Sequence, residues 1–128
     1  MPKSTYLTTA LINEVLRNTN YVPVATLYLA LYTSDPTIAD VGAEVSGGSY
    51  ARQVIAFSVP VSGVTANSII ALFPTPSGAW GTVTHFGIRD ALTVGNLLYF
   101  GTLTTPIVMG IGAAAPIFIN GDIVVTEA

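Results

Sequence analysis

Residues 82–103 read TVTHFGIRDALTVGNLLYFGTL. Two runs rich in β-branched and aromatic residues, Thr82–Arg89 and Asn96–Leu103, enclose the turn-forming segment Asp90–Gly95. Runs of this length and composition, separated by turn residues, are typical of strands in an antiparallel meander, sandwich or barrel. We therefore predict that the centre of the chain forms an antiparallel sheet.

Further strand candidates lie outside this segment and are separated by Pro, Gly, Asn and Asp: Ala25–Thr33, Tyr50–Val59 and Asn67–Phe73. Near the C-terminus, Asn120-Gly121 stands between the apolar runs Pro116–Ile119 and Asp122–Thr126. Asn-Gly between two such runs predicts a β-hairpin. The fold class that follows is mainly β, an antiparallel β-sandwich or a jelly-roll-like barrel with one N-terminal α-helix.

The N-terminal segment differs because its apolar residues follow a helical period. They form one stripe: Leu7, Leu11, Ile12, Val15 and Leu16. Ser4 is the expected N-cap, and the helix should end near Asn18. We expect an amphipathic helix within residues 1–20 and a β-sandwich over residues 21–128, together making a single structural domain.

The segment Asn67–Phe73 is apolar at both odd and even positions. Ile69, Ala71 and Phe73 fall on one face of the strand, and Ile70 and Leu72 fall on the other. A strand of this kind needs a cover on both sides. The predicted second cover is a neighbouring subunit or the N-terminal helix.

Composition gives the main indication of function. Hydrophobic residues make up 51% of the chain and charged residues only 9%, whereas an ordinary soluble domain is about a quarter charged. A monomer needs a polar exterior of mixed charge to remain soluble. We therefore expect partner molecules to cover much of this exterior.

The charge pattern argues against nucleic acid and membrane as partners. The net charge is −3, with only four basic residues, too few to follow a phosphate backbone, so we expect no direct nucleic-acid binding. The uncharged stretches Gln53–Ile88 and Ala91–Gly121 are interrupted by turn-forming residues every few positions, which does not suit a membrane helix. The N-terminus lacks an apolar signal core, so we expect synthesis in the cytoplasm and no secretion by the usual route.

Candidate catalytic and metal-binding groups are few. His85 is the only histidine, the chain has no cysteine, and no Gly-x-Ser-x-Gly motif supplies a nucleophile. Asp35, Asp40 and Glu44 share one loop and offer oxygen ligands for calcium, but their spacing does not match a calcium loop, so solvated acids are the favoured interpretation. We predict no enzymatic activity, no metal and no cofactor.

Arg52 and Arg89 lie within apolar strand sequence, where a guanidinium needs a carboxylate or an interface partner. Glu44 and Asp90 are the expected carboxylates. The aromatic residues are spread over nearly every strand, which favours core and interface packing over a sugar-binding platform. The candidate interface residues are Leu7, Leu11, Arg52, Trp80, His85 and Arg89.

Three stretches resemble a family of small tailed-bacteriophage structural proteins, often labelled tail fibre protein or hypothetical virion protein. They are LALYTSDP at residues 29–36, EVSGGSYARQ at residues 44–53 and WGTVTHFGI at residues 80–88. The likeness covers nearly the whole chain, including the helix and Leu97–Gly101. The segment Thr105–Pro116 departs from the family pattern because it is more apolar.

The resemblance implies a non-catalytic structural protein of the virion. The favoured role is a capsid decoration or cement subunit. The alternatives are a tail-fibre or collar-associated subunit, or a carbohydrate-binding adhesion module that uses an exposed Tyr or Trp. The implied partners are further copies of the chain, with a trimer favoured, and the major capsid protein or tail proteins; glycans are the remaining candidate partner.

Overall fold

The structure, a computed structural model, describes residues 1–127 and contains one helix and eight strands within them. The elements are α1 (Thr5–Arg17), β1 (Leu27–Tyr32), β2 (Gln53–Ile55), β3 (Val64–Ala66), β4 (Ala71–Leu72), β5 (Gly81–Arg89), β6 (Leu97–Met109), β7 (Ile117–Phe118) and β8 (Val124–Thr126). The mainly β class with one N-terminal helix is thereby confirmed. The sheets are antiparallel and do not close into a barrel.

The largest element is a four-stranded sheet in the order β2-β1-β5-β6. Its centre is the predicted pair of strands, β5 and β6, and β1 pairs with the other edge of β5. Gly87 lies opposite Ala30 in this sheet. A Cβ atom at Gly87 would come within 2.7 Å of the Leu97 side chain and 2.9 Å of the Tyr32 ring, so close packing at the sheet centre requires glycine here.

Two short antiparallel ribbons, β3–β8 and β4–β7, complete the β structure. The four-stranded sheet and the ribbons share one hydrophobic core, to which Leu29 and Val83 contribute from the sheet and Phe118 and Val125 from the ribbons. The ribbons connect residues far apart in sequence. The core therefore forms only when the C-terminal segment returns to the middle of the chain.

The helix is capped as the sequence predicts. The Ser4 side chain accepts a hydrogen bond from the Leu7 amide at 3.2 Å, and Asn18 ends the helix in the left-handed conformation. Of the apolar stripe, however, only Leu7 is buried. The helix is therefore anchored near its N-terminal end and presents most of its stripe outward.

Several predicted strands are shorter than expected, and one is longer. Tyr50–Val59 contributes only β2 and Asn67–Phe73 only β4, whereas β6 continues six residues beyond Leu103. The predicted hairpin at Asn120-Gly121 is wrong, because β7 pairs with β4 and β8 pairs with β3.

Hydrogen bonds with Asn67 explain why the Asn120-Gly121 turn does not form a hairpin. Its buried side chain accepts hydrogen bonds from the Gly121 amide at 3.1 Å and the Ile123 amide at 2.9 Å, and donates to the Ile119 carbonyl at 2.9 Å. These backbone groups would otherwise be available to a local hairpin. The turn instead directs the two flanking strands into separate ribbons.

The accessible surface of the chain is 6895 Å², close to the roughly 6,500 Å² typical of a compact monomer of this mass. The apolar exterior described below therefore belongs to a compactly folded chain. Within residues 1–127, no helix is long and apolar enough to cross a bilayer.

Candidate assembly surfaces

The exterior is unusually rich in apolar side chains. Among the described residues 1–127, twenty-two large hydrophobic side chains are exposed, whereas the whole sequence holds only four basic and seven acidic residues. Scattered exposed hydrophobics are normal, but contiguous patches mark interaction sites. Three surfaces bring such residues together.

The first surface is a loop end held together by Arg52. Its guanidinium binds Glu44 in a bidentate manner, with Nε 2.8 Å from Oε2 and Nη2 2.7 Å from Oε1. The Tyr50 hydroxyl donates to the same carboxylate at 2.8 Å. Of the two carboxylates expected for the arginines, Glu44 pairs with Arg52, and this ion pair fixes the loop that follows β1.

Arg89 makes a second, parallel network. Its guanidinium contacts both oxygens of Asp40 at 2.7 and 2.9 Å and the Tyr32 hydroxyl at 2.9 Å. The expected partner Asp90 instead binds the amide and side chain of Asn96. Since Asp40 and Glu44 are both ion-paired, the interpretation of the loop acids as merely solvated is wrong for these two residues.

Burial and charge oppose each other at Arg89. Burial by itself lowers the pKa of the guanidinium, but the hydrogen bonds to Asp40 and Tyr32 outweigh it, so the net effect is a raised pKa. Burial also raises the pKa of Tyr50, and the neighbouring Glu44 adds to this effect. The guanidinium therefore remains charged and the phenol remains protonated near neutral pH.

Both arginines also bind the carbonyls of the β5–β6 turn. Arg52 Nη1 donates to the Val94 carbonyl at 2.9 Å and to the Ala91 carbonyl at 2.7 Å, and Arg89 Nε donates to the Val94 carbonyl at 3.3 Å. Val94 has φ +55° and is 82% exposed. A β-branched residue in the left-handed region is strained, so the arginines hold an unfavourable conformation that displays a valine to solvent.

The second surface is the outer face of the β4–β7 ribbon, which we call the ribbon face. Leu72 and Ile117 are directly opposite in the register, and Ile70 and Ile119 follow just beyond the pair Ala71–Phe118. All four side chains are about half exposed, whereas Ala71 and the facing Phe118 point into the core. The ribbon is therefore apolar on both faces and covered on only one.

The third surface is a groove of about 530 Å³ between α1 and β6. Leu11, Ile12, Val15, Leu16 and Tyr99 supply its apolar wall. Lys3 and Glu127 form an ion pair at its rim. The part of the apolar stripe that the core does not bury is displayed here.

Association through the free edge of β6 is obstructed. Residues Pro2–Ser4 cover part of it, with the Ser4 amide bonded to the Leu98 carbonyl at 2.8 Å. Further along, Leu103–Pro106 bulge out opposite Thr84 alone, and Pro106 has no amide proton to donate. On this side of the molecule, side-chain surfaces and not strand edges are therefore accessible to another molecule.

The predicted interface residues are dispersed. Leu7, in the first turn of α1, is buried, whereas Leu11 of the same helix lines the helix groove. Trp80 is buried, and its indole nitrogen donates to the Gly48 carbonyl at 2.8 Å. His85 lies half-buried in β5 with its ring nitrogen 2.7 Å from the Thr84 hydroxyl. Only Arg52 and Arg89 are brought together, through the Val94 carbonyl.

Sequence reasoning named Asp40 as a loop acid but missed its pairing with Arg89, and it also missed Val94 and the pairing of β4 with β7. The two-sided apolar pattern of Asn67–Phe73 did signal a second, external face on β4. Nothing local marks Val94 as strained, because its conformation depends on two arginines that lie 5 and 42 residues away in the sequence.

The aromatic residues confirm the packing interpretation for the core. Tyr50 stacks with Phe73 at a centroid distance of 6.0 Å and meets Trp80 edge-on at 5.4 Å. Phe73 in turn contacts Phe118 edge-on at 6.1 Å. Trp80 is therefore a core residue and does not form an exposed platform.

Together, the antiparallel fold and the apolar exterior define a small β-structural protein suited to association. The family described as podophage GP4 fiber I protein gp80 matches residues 2–126, and the chain belongs to this family. It is therefore a phage structural protein of a fibre family, which confirms the resemblance found in the sequence. No curated protein matches the chain.

Proposed function

We propose that this protein is a non-catalytic structural subunit of the virion, and that it works in a fibre by assembling with further copies of itself. The observation that carries this proposal is the excess of exposed large apolar residues over charged ones. Burying such surface against neighbours is favourable by about 25 cal/mol per Å². The family description supports the fibre location.

Capsid decoration is the alternative location. The small size and the scarcity of charge favour it as much as they favour a fibre, because a cement subunit also buries an apolar exterior against neighbours. In either location the partners are copies of the chain, with a trimer as the proposed oligomer, together with tail proteins or the major capsid protein.

Purified virions test the proposal. We expect quantitative mass spectrometry to detect the chain at a low copy number, and antibody labelling to place it near the tail. Hundreds of copies distributed over the head would favour decoration instead. Absence of the chain from purified particles would overturn both locations.

Glycan binding has less support as an alternative. The adhesion hypothesis needs an exposed aromatic side chain, and Trp80 is buried beneath Gly48 and Tyr50. We expect a glycan array to give no specific signal. Substitution of Trp80 by Ala should lower stability instead of weakening sugar binding selectively, because it leaves a cavity in the core.

The absence of catalysis is likewise a proposal. His85 contacts the Thr84 hydroxyl through its ring nitrogen but lies in the middle of a sheet strand. The most strongly perturbed groups, Tyr50, Tyr99 and Arg89, each contact a carboxylate that is ion-paired within the fold. A structural role accounts for these contacts without a reaction.

A further inference from the structure

The ribbon face poses a specific question, because β4 needs two covers and the chain provides one. Ala71 and Phe118 are buried against the common core, whereas Leu72 and Ile117 on the opposite side remain about half exposed. The N-terminal helix was one candidate for the second cover. It packs against β6 instead, so the cover must come from another molecule.

The charge of this face restricts what can cover it. Ile70 and Leu72 lie in the stretch Gln53–Ile88, and Ile117 and Ile119 lie in Ala91–Gly121; neither stretch contains an Asp, Glu, Lys or Arg. The carboxylate of Asp122, at the edge of the face, accepts a hydrogen bond from the Ile119 amide at 3.0 Å. Over the four aliphatic side chains themselves, a charged partner surface would lose its hydration and find no opposite charge in return. The occupant must therefore present an uncharged aliphatic surface of similar size.

The same face on a second copy meets this requirement. In a symmetric homo-oligomer, a patch that lies at the symmetry axis faces itself, so apolar surface meets apolar surface automatically. Four half-exposed aliphatic side chains present on the order of 400 Å², which is as large as the main apolar patch on a typical monomer.

A specific interface buries about 800 Å² on each partner. The ribbon face supplies about half of this area. The adjoining groove of about 600 Å³ supplies further surface, since Ile117 and Val124 both line it. Two copies joined through the ribbon face alone would bury about 800 Å² in total, and the groove walls beside Ile117 and Val124 extend the contact toward the roughly 1,000 Å² that a specific interface needs.

We infer that the ribbon face, made by Ile70, Leu72, Ile117 and Ile119, is the contact through which copies of this chain associate. The inference rests on the proposed assembly function and identifies the surface through which the copies would assemble. The helix groove and the Val94 loop then remain free for other components of the particle.

Sedimentation of the purified full chain tests the inference. We expect the double variant Leu72→Asp/Ile117→Asp to shift the wild-type oligomer to monomer, with an unchanged far-ultraviolet circular dichroism spectrum. Val15→Asp is the matched control, because Val15 is 75% exposed but lies in the helix groove. This control should leave the oligomer intact.

Cross-linking provides a measurement that does not depend on a charged substitution. The chain has no cysteine, so Leu72→Cys introduces a single thiol on the ribbon face. A short bis-maleimide should link two Leu72→Cys chains and should not link Val15→Cys chains at the same concentration.

A monomeric wild-type chain at high concentration would overturn the inference. So would a double aspartate variant that sediments like wild type, or failure of Leu72→Cys to cross-link. The two variant results are separable from the proposed function, because detection of the chain in purified virions does not depend on which surface joins the copies. A monomeric wild-type chain would contradict the self-assembly in both.

Discussion

Arg89 is only 6% exposed, so its guanidinium has lost nearly all of its hydration. The two oxygens of Asp40 and the Tyr32 hydroxyl replace the lost water. Removing one partner of such a pair leaves a buried charge without compensation, and that cost exceeds the net value of the pair itself. The arrangement is therefore sensitive to loss of the acid.

Asp40→Asn isolates this effect, because Asn also tolerates the left-handed conformation that Asp40 adopts. We expect the free energy of unfolding to fall by about 2 kcal/mol, measured by urea denaturation. Asp35→Asn is the control, since an amide oxygen can still accept the Thr37 amide hydrogen bond. Equal losses in the two variants would contradict the role assigned to Asp40.

At Val94 we expect a substitution to raise the free energy of unfolding instead of lowering it. Its side chain is almost fully exposed and its backbone is left-handed, so Val94→Asn relieves strain and removes no buried contact. We expect a gain in unfolding free energy of about 1 kcal/mol. Val59→Asn, at an 85% exposed position, should change stability little. A loss of stability in Val94→Asn would show that the valine contributes packing within the isolated chain.

At the scale of elements, the two ends of the chain are joined to the edge of the main sheet. Lys3 pairs with Glu127, and the Tyr99 hydroxyl donates to the same carboxylate at 2.7 Å. The hydrogen bond from Lys3, followed by that from Tyr99, lowers the pKa of Glu127. The strand pairing of residues 2–4 with β6 is therefore linked to the ionisation of a residue near the C-terminus.

The sign of the pH dependence follows from this lowered pKa. The stabilising contribution of Glu127 is complete above its ordinary pKa and is lost as the pH falls through the lower value that it has in the folded chain. Because the Glu127 side chain is nearly half exposed, the contribution should be only about 0.5 kcal/mol.

Hydrogen exchange at the Phe100 amide, which donates to the Pro2 carbonyl, reports this contribution. At neutral pH we expect protection in Glu127→Gln to be about twofold lower than in wild type, which is 0.5 kcal/mol expressed as a ratio. The difference should disappear in acid, and the Gly87 amide should be unaffected at either pH. A difference that persists in acid would contradict an ionic origin.

At the scale of the whole molecule, most basic side chains form ion pairs with carboxylates of the same chain. Among residues 1–127, three of the four basic side chains are in ion pairs within the chain. The exterior left for association is therefore mainly apolar. Contacts between such surfaces depend on area and respond little to screening of charge.

Self-association should accordingly persist when sodium chloride is raised from about 0.05 to 0.5 M, a range over which exposed charge pairs are strongly screened. Sedimentation at constant protein concentration measures it. A sulfate salt should strengthen association, because it is excluded from protein surface. Dissociation by sodium chloride alone would indicate that charge pairs hold the oligomer.

Local patterns were enough to predict the helix, its Ser4 cap and the strands β1, β5 and β6, because each depends on residues close together in sequence. The Arg52–Glu44 pair was also predictable, since the two residues are eight positions apart. The shortage of charge indicated an apolar exterior for the same reason, because composition does not depend on the path of the chain.

Only the tertiary structure decided how the C-terminal segment pairs and where the helix lies. The Asn120-Gly121 turn joins two ribbons instead of forming a hairpin, because Asn67, more than fifty residues earlier, binds its backbone. Whether α1 covers the ribbon face could not be judged from the apolar stripe alone. Packing between distant segments decides which apolar faces are buried and which remain exposed, and a local sequence pattern does not encode that choice.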